Sequence, residues 1–144
     1  MVEAIIPKAN ADVETNKQIL EFIAKFEGLH LEAYWDYKQW SIWYWTKSHK
    51  WEVITQEEAE IRARIVIQNI RERYKLWEHP LEVQIAVTSF VYNLWSLRNN
   101  QIWLLNNWYY CALWNDFTHY VYAWWKRLQG LVNRRYAERN LICK

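Results

Sequence analysis

An α+β domain, mostly helical with one small antiparallel hairpin sheet near its N-terminal end, is the fold class this sequence predicts. Three observations point to it. Apolar residues recur at helical spacing before residue 28 and after residue 55. Between these stretches, from about His30 to Ile54, the chain is aromatic and β-branched with short polar breaks. No fixed-period repeat, low-complexity tract or linker interrupts the 144 residues. A chain of that length buries about 68 to 70% of its unfolded surface, enough for one domain with a sizeable core.

In chain order, residues 1–11 read as a loose lead-in and 12–144 as the single domain. Thr15 and Gln18 form a capping box for a helix with Ile19, Leu20, Ile23, Ala24 and Phe26 on one face. Gly28 suits its C-terminal end, because glycine accepts the left-handed conformation there, so the helix is expected to stop just after Glu27. "AYWDYKQWSIWYW" and "WEVIT" then read as the small sheet. A second capping box, Thr55 with Glu58, opens a helix with Ala59, Ala63, Val66, Ile67 and Ile70 near helical spacing. His79 and Pro80 mark a break, "LEVQIAVTSFVYNL" a mostly apolar central helix, and "NDFTHYVYAW" and "LVNRRYAERNLI" two more amphipathic helical segments.

With 52% hydrophobic and 24% charged residues, the composition excludes a disordered or fibrous chain. The net charge of +2 is uneven. From residue 115 onward Lys126, Arg127, Arg134, Arg135, Arg139 and Lys144 stand against Asp116 and Glu138, a surplus of +4 that leaves −2 for the rest. Such an end either attracts an anionic polymer or is a solvated helix face. Base-stacking aromatics are not interleaved with these arginines, which argues against nucleic acid as a partner. Cys111 and Cys143 have neither metal-ligand spacing nor the density of a disulfide framework, so free thiols in a reducing compartment are expected. The N-terminus lacks the basic and apolar regions of a secretory signal, and no apolar run approaches 18 residues, so no stable membrane insertion is expected.

Two carboxylates carry the candidate chemistry. Glu27 closes a helix and Asp36 lies in the aromatic hairpin. A helix end and a facing hairpin can form two walls of a cleft, and acids paired across a cleft are what glycoside hydrolysis requires. One carboxyl stays protonated to donate to the leaving oxygen, and the other stays ionised to organise water or stabilise charge on the sugar. The alternative for Glu27 is a surface acid, although a Glu in a last helical turn sits unfavourably against the negative end of the helix, and for Asp36 a turn-forming aspartate.

The stretch "FEGLHLEAYWDYKQWSI" resembles the active-site segment of the phage-type lysozymes, or endolysins, in which Glu, Gly, Tyr and Asp stand at the spacing of Glu27, Gly28, Tyr34 and Asp36. The resemblance continues through "VITQEEAE", "SFVYNLW" and "AWWKRLQGLVNRRYAERNL", covering nearly the whole chain from about residue 19. It implies a lysozyme-like fold and hydrolysis of the β-1,4 bond between N-acetylmuramic acid and N-acetylglucosamine in bacterial peptidoglycan, causing host lysis. By the same resemblance Glu27 is the general acid, Asp36 positions or activates water or stabilises the sugar cation, and Ser41 stands for the threonine that holds the water. Ser41 departs from the pattern in identity and in its distance from Asp36. His30, where arginine is common, Tyr34 and Asn93 are the expected substrate-binding residues, with Asn93 equally suited to capping backbone groups at a helix end. Arg134 and Arg135 match a basic pair whose work is structural pairing or attraction to the anionic wall. His49, His79 and His119 have no metal spacing and read as surface or turn residues. No metal or organic cofactor is required, the expected state is a monomer, and the enzyme would be made in the host cytoplasm and reach the wall once the membrane is permeabilised. The competing class is a catalytically inactive, lysozyme-like glycan-binding protein.

Tryptophan and glycine depart from ordinary usage. About 7% glycine would give roughly ten, whereas only Gly28 and Gly130 are present, against 12 tryptophans. Trp43, Trp45, Trp51, Trp95, Trp124 and Trp125 fall where the resembled family has glycine, and Trp103, Trp108 and Trp114 where a small residue would fit, whereas Trp35 and Trp40 sit at ordinary hairpin positions. The expectation is that UGA codons are read as glycine in the source and appear here as tryptophan; literal tryptophans would be core or glycan-stacking residues.

Overall fold

The computed structural model describes the backbone of residues 2–26, 34–36, 39–42, 46–48, 52–123 and 126–143, and side chains over 12–26, 52–122 and 126–143. The chain forms two compact units, Met1–Asn69 and Ile70–Lys144.

The first unit opens with α1, Val2–Ala24. The lead-in expected to be loose is therefore helical, and Thr15 lies within the helix rather than capping it. Ala4, Lys8, Ala9, Ala11 and Glu14 are all good helix formers, so the segment before Thr15 continues a helix instead of preceding one. Beyond Ala24 the backbone N–H groups of Lys25 and Phe26 donate to the carbonyls of Phe22 and Ile23, tightening the helix into a last turn. Gly28, the expected stop, lies outside the described residues.

Three short strands follow: β1 Tyr34–Asp36, β2 Gln39–Ile42 and β3 Thr46–Ser48, in the order β1-β2-β3. Both pairings are antiparallel, with Tyr34 opposite Ser41, Asp36 opposite Gln39, and Trp40 opposite Ser48. Helix α2, Gln56–Arg73, begins where the capping box places it, with the Thr55 hydroxyl accepting the Glu58 N–H at 3.1 Å. Ala59, Ala63 and Ile67, one full set of four-residue steps, are buried together with Ile19 and Ile23 of α1 and with Ile54. Asn16 Nδ2 donates to Gln68 Oε1 at 2.8 Å, tying α1 to α2, and Arg62 pairs with Glu52 ahead of the helix.

The second unit takes up the last residues of α2 and continues through a 3-10 turn, Leu76–Glu78, into α3, Leu81–Leu94. Pro80 has no N–H to lose and presets the entry to this helix. Residues Val83, Ala86, Val87, Phe90 and Val91 bury α3 on most of its circumference, which is why its sequence reads as nearly continuous apolar residues. Around it lie α4 Asn99–Asn106, α5 Tyr110–Phe117 and α6 Gln129–Asn140. Phe90 stacks on Phe117 of α5 at 3.7 Å between ring centroids, and Trp114 packs on the same ring at 5.0 Å.

The segment 115–124 departs from the expected helix. Helix α5 ends at Phe117, the Thr118 hydroxyl donates back to the Asn115 carbonyl at 2.7 Å, and the chain forms a two-stranded ribbon, β4 Tyr122–Ala123 with β5 Lys126–Arg127. Tyr120, Val121 and Tyr122 are residues that strands favour, and the Leu128 N–H closes the ribbon on the Val121 carbonyl at 3.0 Å. Cys111 and Cys143 depart too. They are joined in a disulfide, not free, because α5 and the residues after α6 bring their Cα atoms to 5.7 Å across 32 positions of sequence.

Candidate active site

Strand register decides how the hairpin residues are arranged. Successive residues of a strand face opposite sides, and residues directly opposite on paired antiparallel strands share a side. Tyr34 and Asp36 are two apart on β1, and Ser41 of β2 is the partner of Tyr34, so all three positions fall on one face of the sheet. Glu27, Gly28 and His30 lie outside the described residues, as do the side chains of Tyr34, Asp36 and Ser41.

Asn93 belongs to the second unit, in the last turn of α3. Its side chain is half-buried, and Oδ1 is shut off from solvent with no hydrogen-bond partner among the described residues. The end of α3 is closed by a backbone bond, from the Trp95 N–H to the Val91 carbonyl at 2.6 Å, without help from the Asn93 amide. A buried acceptor left unpaired costs about 1 to 3 kcal/mol. Near the same helix end a cleft of about 550 Å3 is lined by Arg73, Lys75, Ser96 and Asn99, among others, with no carboxylate among the described residues that line it. Arg73 is held in place there by donating to the Trp95 carbonyl at 3.1 Å and by lying over the Tyr74 ring.

The basic pair in the C-terminal helix proves structural. Arg134 and Arg135 are both buried, and both meet the fully buried carboxylate of Glu138, Arg135 at 2.7 Å and Arg134 at 3.6 Å. Ser89 of α3 donates to the same carboxylate at 2.8 Å, and Arg134 donates to both the Ser89 hydroxyl and its carbonyl. Burial pushes the Glu138 carboxyl upward, with Arg135, Arg134 and Ser89 pulling the other way. The cluster bolts α6 to α3, four residues before Asn93.

His79 lies in a turn, between the 3-10 turn and α3, but it is buried rather than at the surface, and its Nδ1 meets the Tyr110 hydroxyl at 2.6 Å. Gln84 donates to the His79 carbonyl at 3.0 Å and accepts from Arg71 at 3.0 Å. Burial lowers the imidazole pKa below 6.5, while neighbouring Glu78 opposes the shift. His119 is exposed as expected, and His49 lies outside the described residues. Among the described residues no three His, Cys, Asp or Glu side chains gather as metal ligands, and no helix is long and apolar enough to cross a membrane.

The phage lysozyme family model matches residues 24–138, and the chain belongs to that family. It is a glycoside hydrolase of the lysozyme type, acting on peptidoglycan. The muramidase domain of SpmX from Asticaccaulis excentricus is similar in structure, with a TM-score of 0.73 and 20% identity over 88% of this chain and 95% of that one. The active form of the P1 phage endolysin Lyz gives 0.72 and 20% over 97% and 90%. The endolysin of Escherichia coli O157:H7 phage FAHEc1 gives 0.69 and 23% over 88% and 90%. Among curated proteins none matches significantly in sequence.

Proposed function

We propose that the chain is an endolysin that cuts the β-1,4 bond between N-acetylmuramic acid and N-acetylglucosamine, with residues 12–144 acting as one catalytic domain and as a monomer. The observation that carries the reading is the shared sheet face of Tyr34, Asp36 and Ser41, in a family whose model begins just ahead of Glu27.

Glu27 gives its proton to the glycosidic oxygen as that bond to the muramic acid C1 breaks. Water supplies the new C1 oxygen and its released proton passes, through solvent, back to Glu27, while Asp36 orients that water or stabilises the positive charge on the ring, with Ser41 as a further hydrogen-bonding partner. For this work Glu27 needs a pKa raised by partial burial and Asp36 needs to remain ionised. The hairpin serves as one wall of the cleft, with His30 and Tyr34 as its sugar-binding residues, and the resemblance adds Asn93 as a further substrate-binding amide. Two carboxylates and water complete the reaction without metal or organic cofactor. The cationic border of the second-unit cleft suits the carboxylates of peptidoglycan better than a neutral glycan. Synthesis in the host cytoplasm and access to the wall after membrane permeabilisation complete the proposal.

The test is loss of turbidity in a peptidoglycan suspension. The parent should clear it, and Glu27→Gln should slow clearing by at least about a hundredfold, the scale of a lost general acid. Equal clearing by both proteins excludes Glu27 as the acid. Binding to sacculi without clearing by either protein leaves a glycan-binding module.

A further inference from the structure

Among the described residues three non-glycine positions adopt the left-handed backbone: Lys75 (φ 52°), Trp95 (φ 78°) and Trp108 (φ 59°). Tryptophan fills 12 of 144 positions in the chain, yet two of these three. Neither indole is recompensed by burial, since Trp95 is 61% and Trp108 68% exposed. A β-carbon in this conformation meets the following carbonyl oxygen, at a cost of roughly 5- to 30-fold in the local equilibrium.

The hydrogen bonds at both sites belong to helix endings that glycine ordinarily makes. At the end of α4 the Tyr109 N–H donates to the Leu104 carbonyl at 2.9 Å and the Trp108 N–H to the Leu105 carbonyl at 3.1 Å. This nested pair is the Schellman arrangement, with Trp108 at the position just past the helix where glycine is enriched. At the end of α3 the single bond from the Trp95 N–H to the Val91 carbonyl is the simpler left-handed ending, with Trp95 in the same role.

Two other tryptophans separate from these. Trp114 is fully buried and packed on Phe117, so a glycine there would leave a hole in the core. Its packing favours a true tryptophan over a displaced small residue. Trp103 lies inside α4 with its ring stacked on Tyr109 at 5.6 Å, and its backbone makes no demand for glycine. Trp43, Trp45, Trp51, Trp124 and Trp125 lie outside the described residues.

We infer that positions 95 and 108 are glycine positions, filled by glycine in the polypeptide made by its source through UGA codons, and that Trp114 is a true tryptophan. Glycine 95 would then act as a positioning residue: it ends α3 two residues after Asn93 and fixes where the last helical turn presents that amide.

Chemical unfolding of the chain as written, against Trp95→Gly, Trp108→Gly and Trp114→Gly, tests the assignment independently of any lytic activity. Relief of the left-handed strain is partly offset by the freedom glycine adds to the unfolded chain, about 2- to 5-fold. The first two variants should therefore raise the folding equilibrium constant, by up to about tenfold each, while Trp114→Gly should lower it more than about a hundredfold. Codons 95 and 108 should be UGA and codon 114 UGG. Destabilisation by glycine at 95 and 108, or UGG at those codons, overturns the inference.

Discussion

Removing the carboxylate of Glu138 probes the junction of α3 and α6 most severely. In the native state that carboxylate faces Arg135 at 2.7 Å, Arg134 at 3.6 Å and the Ser89 hydroxyl at 2.8 Å, all excluded from water. Glu138→Ala removes the carboxylate that both buried guanidinium groups meet, and losing one member of a buried ion pair costs about 3 to 5 kcal/mol. A domain of this kind holds only about 5 to 15 kcal/mol in total. With a urea dependence near 2 kcal/mol per molar, the unfolding midpoint should fall by roughly 1.5 to 2.5 M with an unchanged slope. Ser89→Ala, which removes a hydroxyl that donates to Glu138 and accepts from Arg134 but keeps the ion pairs, should cost only about 1 to 3 kcal/mol. A drop below about 1 kcal/mol for Glu138→Ala, measured by circular dichroism in urea, would refute the view that the pairs with Arg134 and Arg135 hold the junction.

Other expectations follow from the same interactions. Because burial lowers the His79 pKa below its unfolded value of 6.5, the unfolded chain binds the extra proton, so the His79 contribution is complete above that pH and is lost as pH falls below it; His79→Gln should flatten the decline of melting temperature between neutral and acid pH. Reducing the Cys111–Cys143 bridge, which spans 32 positions, should lower the melting temperature by roughly 10 to 15 °C from loop entropy alone, and no change in differential scanning calorimetry would exclude a stabilising disulfide. Phe90→Ala, removing the ring stacked on Phe117, should cost about 3 to 5 kcal/mol. Asn93→Ala, tested with peptidoglycan fragments by calorimetry, should weaken binding about tenfold while leaving stability unchanged or improved, because it deletes a buried acceptor that has no partner among the described residues.

The parts legible in the sequence are those fixed by local chemistry. Thr55 with Glu58 set the start of α2 through one side-chain hydrogen bond, and Pro80 ahead of a continuous apolar run set α3 from Leu81 to Leu94. What escaped depends on distant partners or on very short elements. The β4-β5 ribbon has two residues per strand, too few for an alternation to register against helical spacing. Cys111 and Cys143 meet only because two helices bring them together, and a lone pair of cysteines has no spacing signature. His79 looked like part of a break because it precedes Pro80, yet its environment is set by Tyr110 and Gln84. Of the candidate site, the spacing of Tyr34, Asp36 and Ser41 was legible and their common face required the register. The buried acceptor of Asn93, without a partner among the described residues, has no sequence signal, because pairing is a property of the packed structure.

Mass spectrometry of the fragments released from purified sacculi tests the central claim most directly. The parent protein should release new reducing ends on N-acetylmuramic acid, each carrying the elements of one water, and Glu27→Gln and Asp36→Asn should release none. Reducing ends on N-acetylglucosamine, anhydro-muramic ends, or cleavage of the peptide stems with the glycan intact would contradict it.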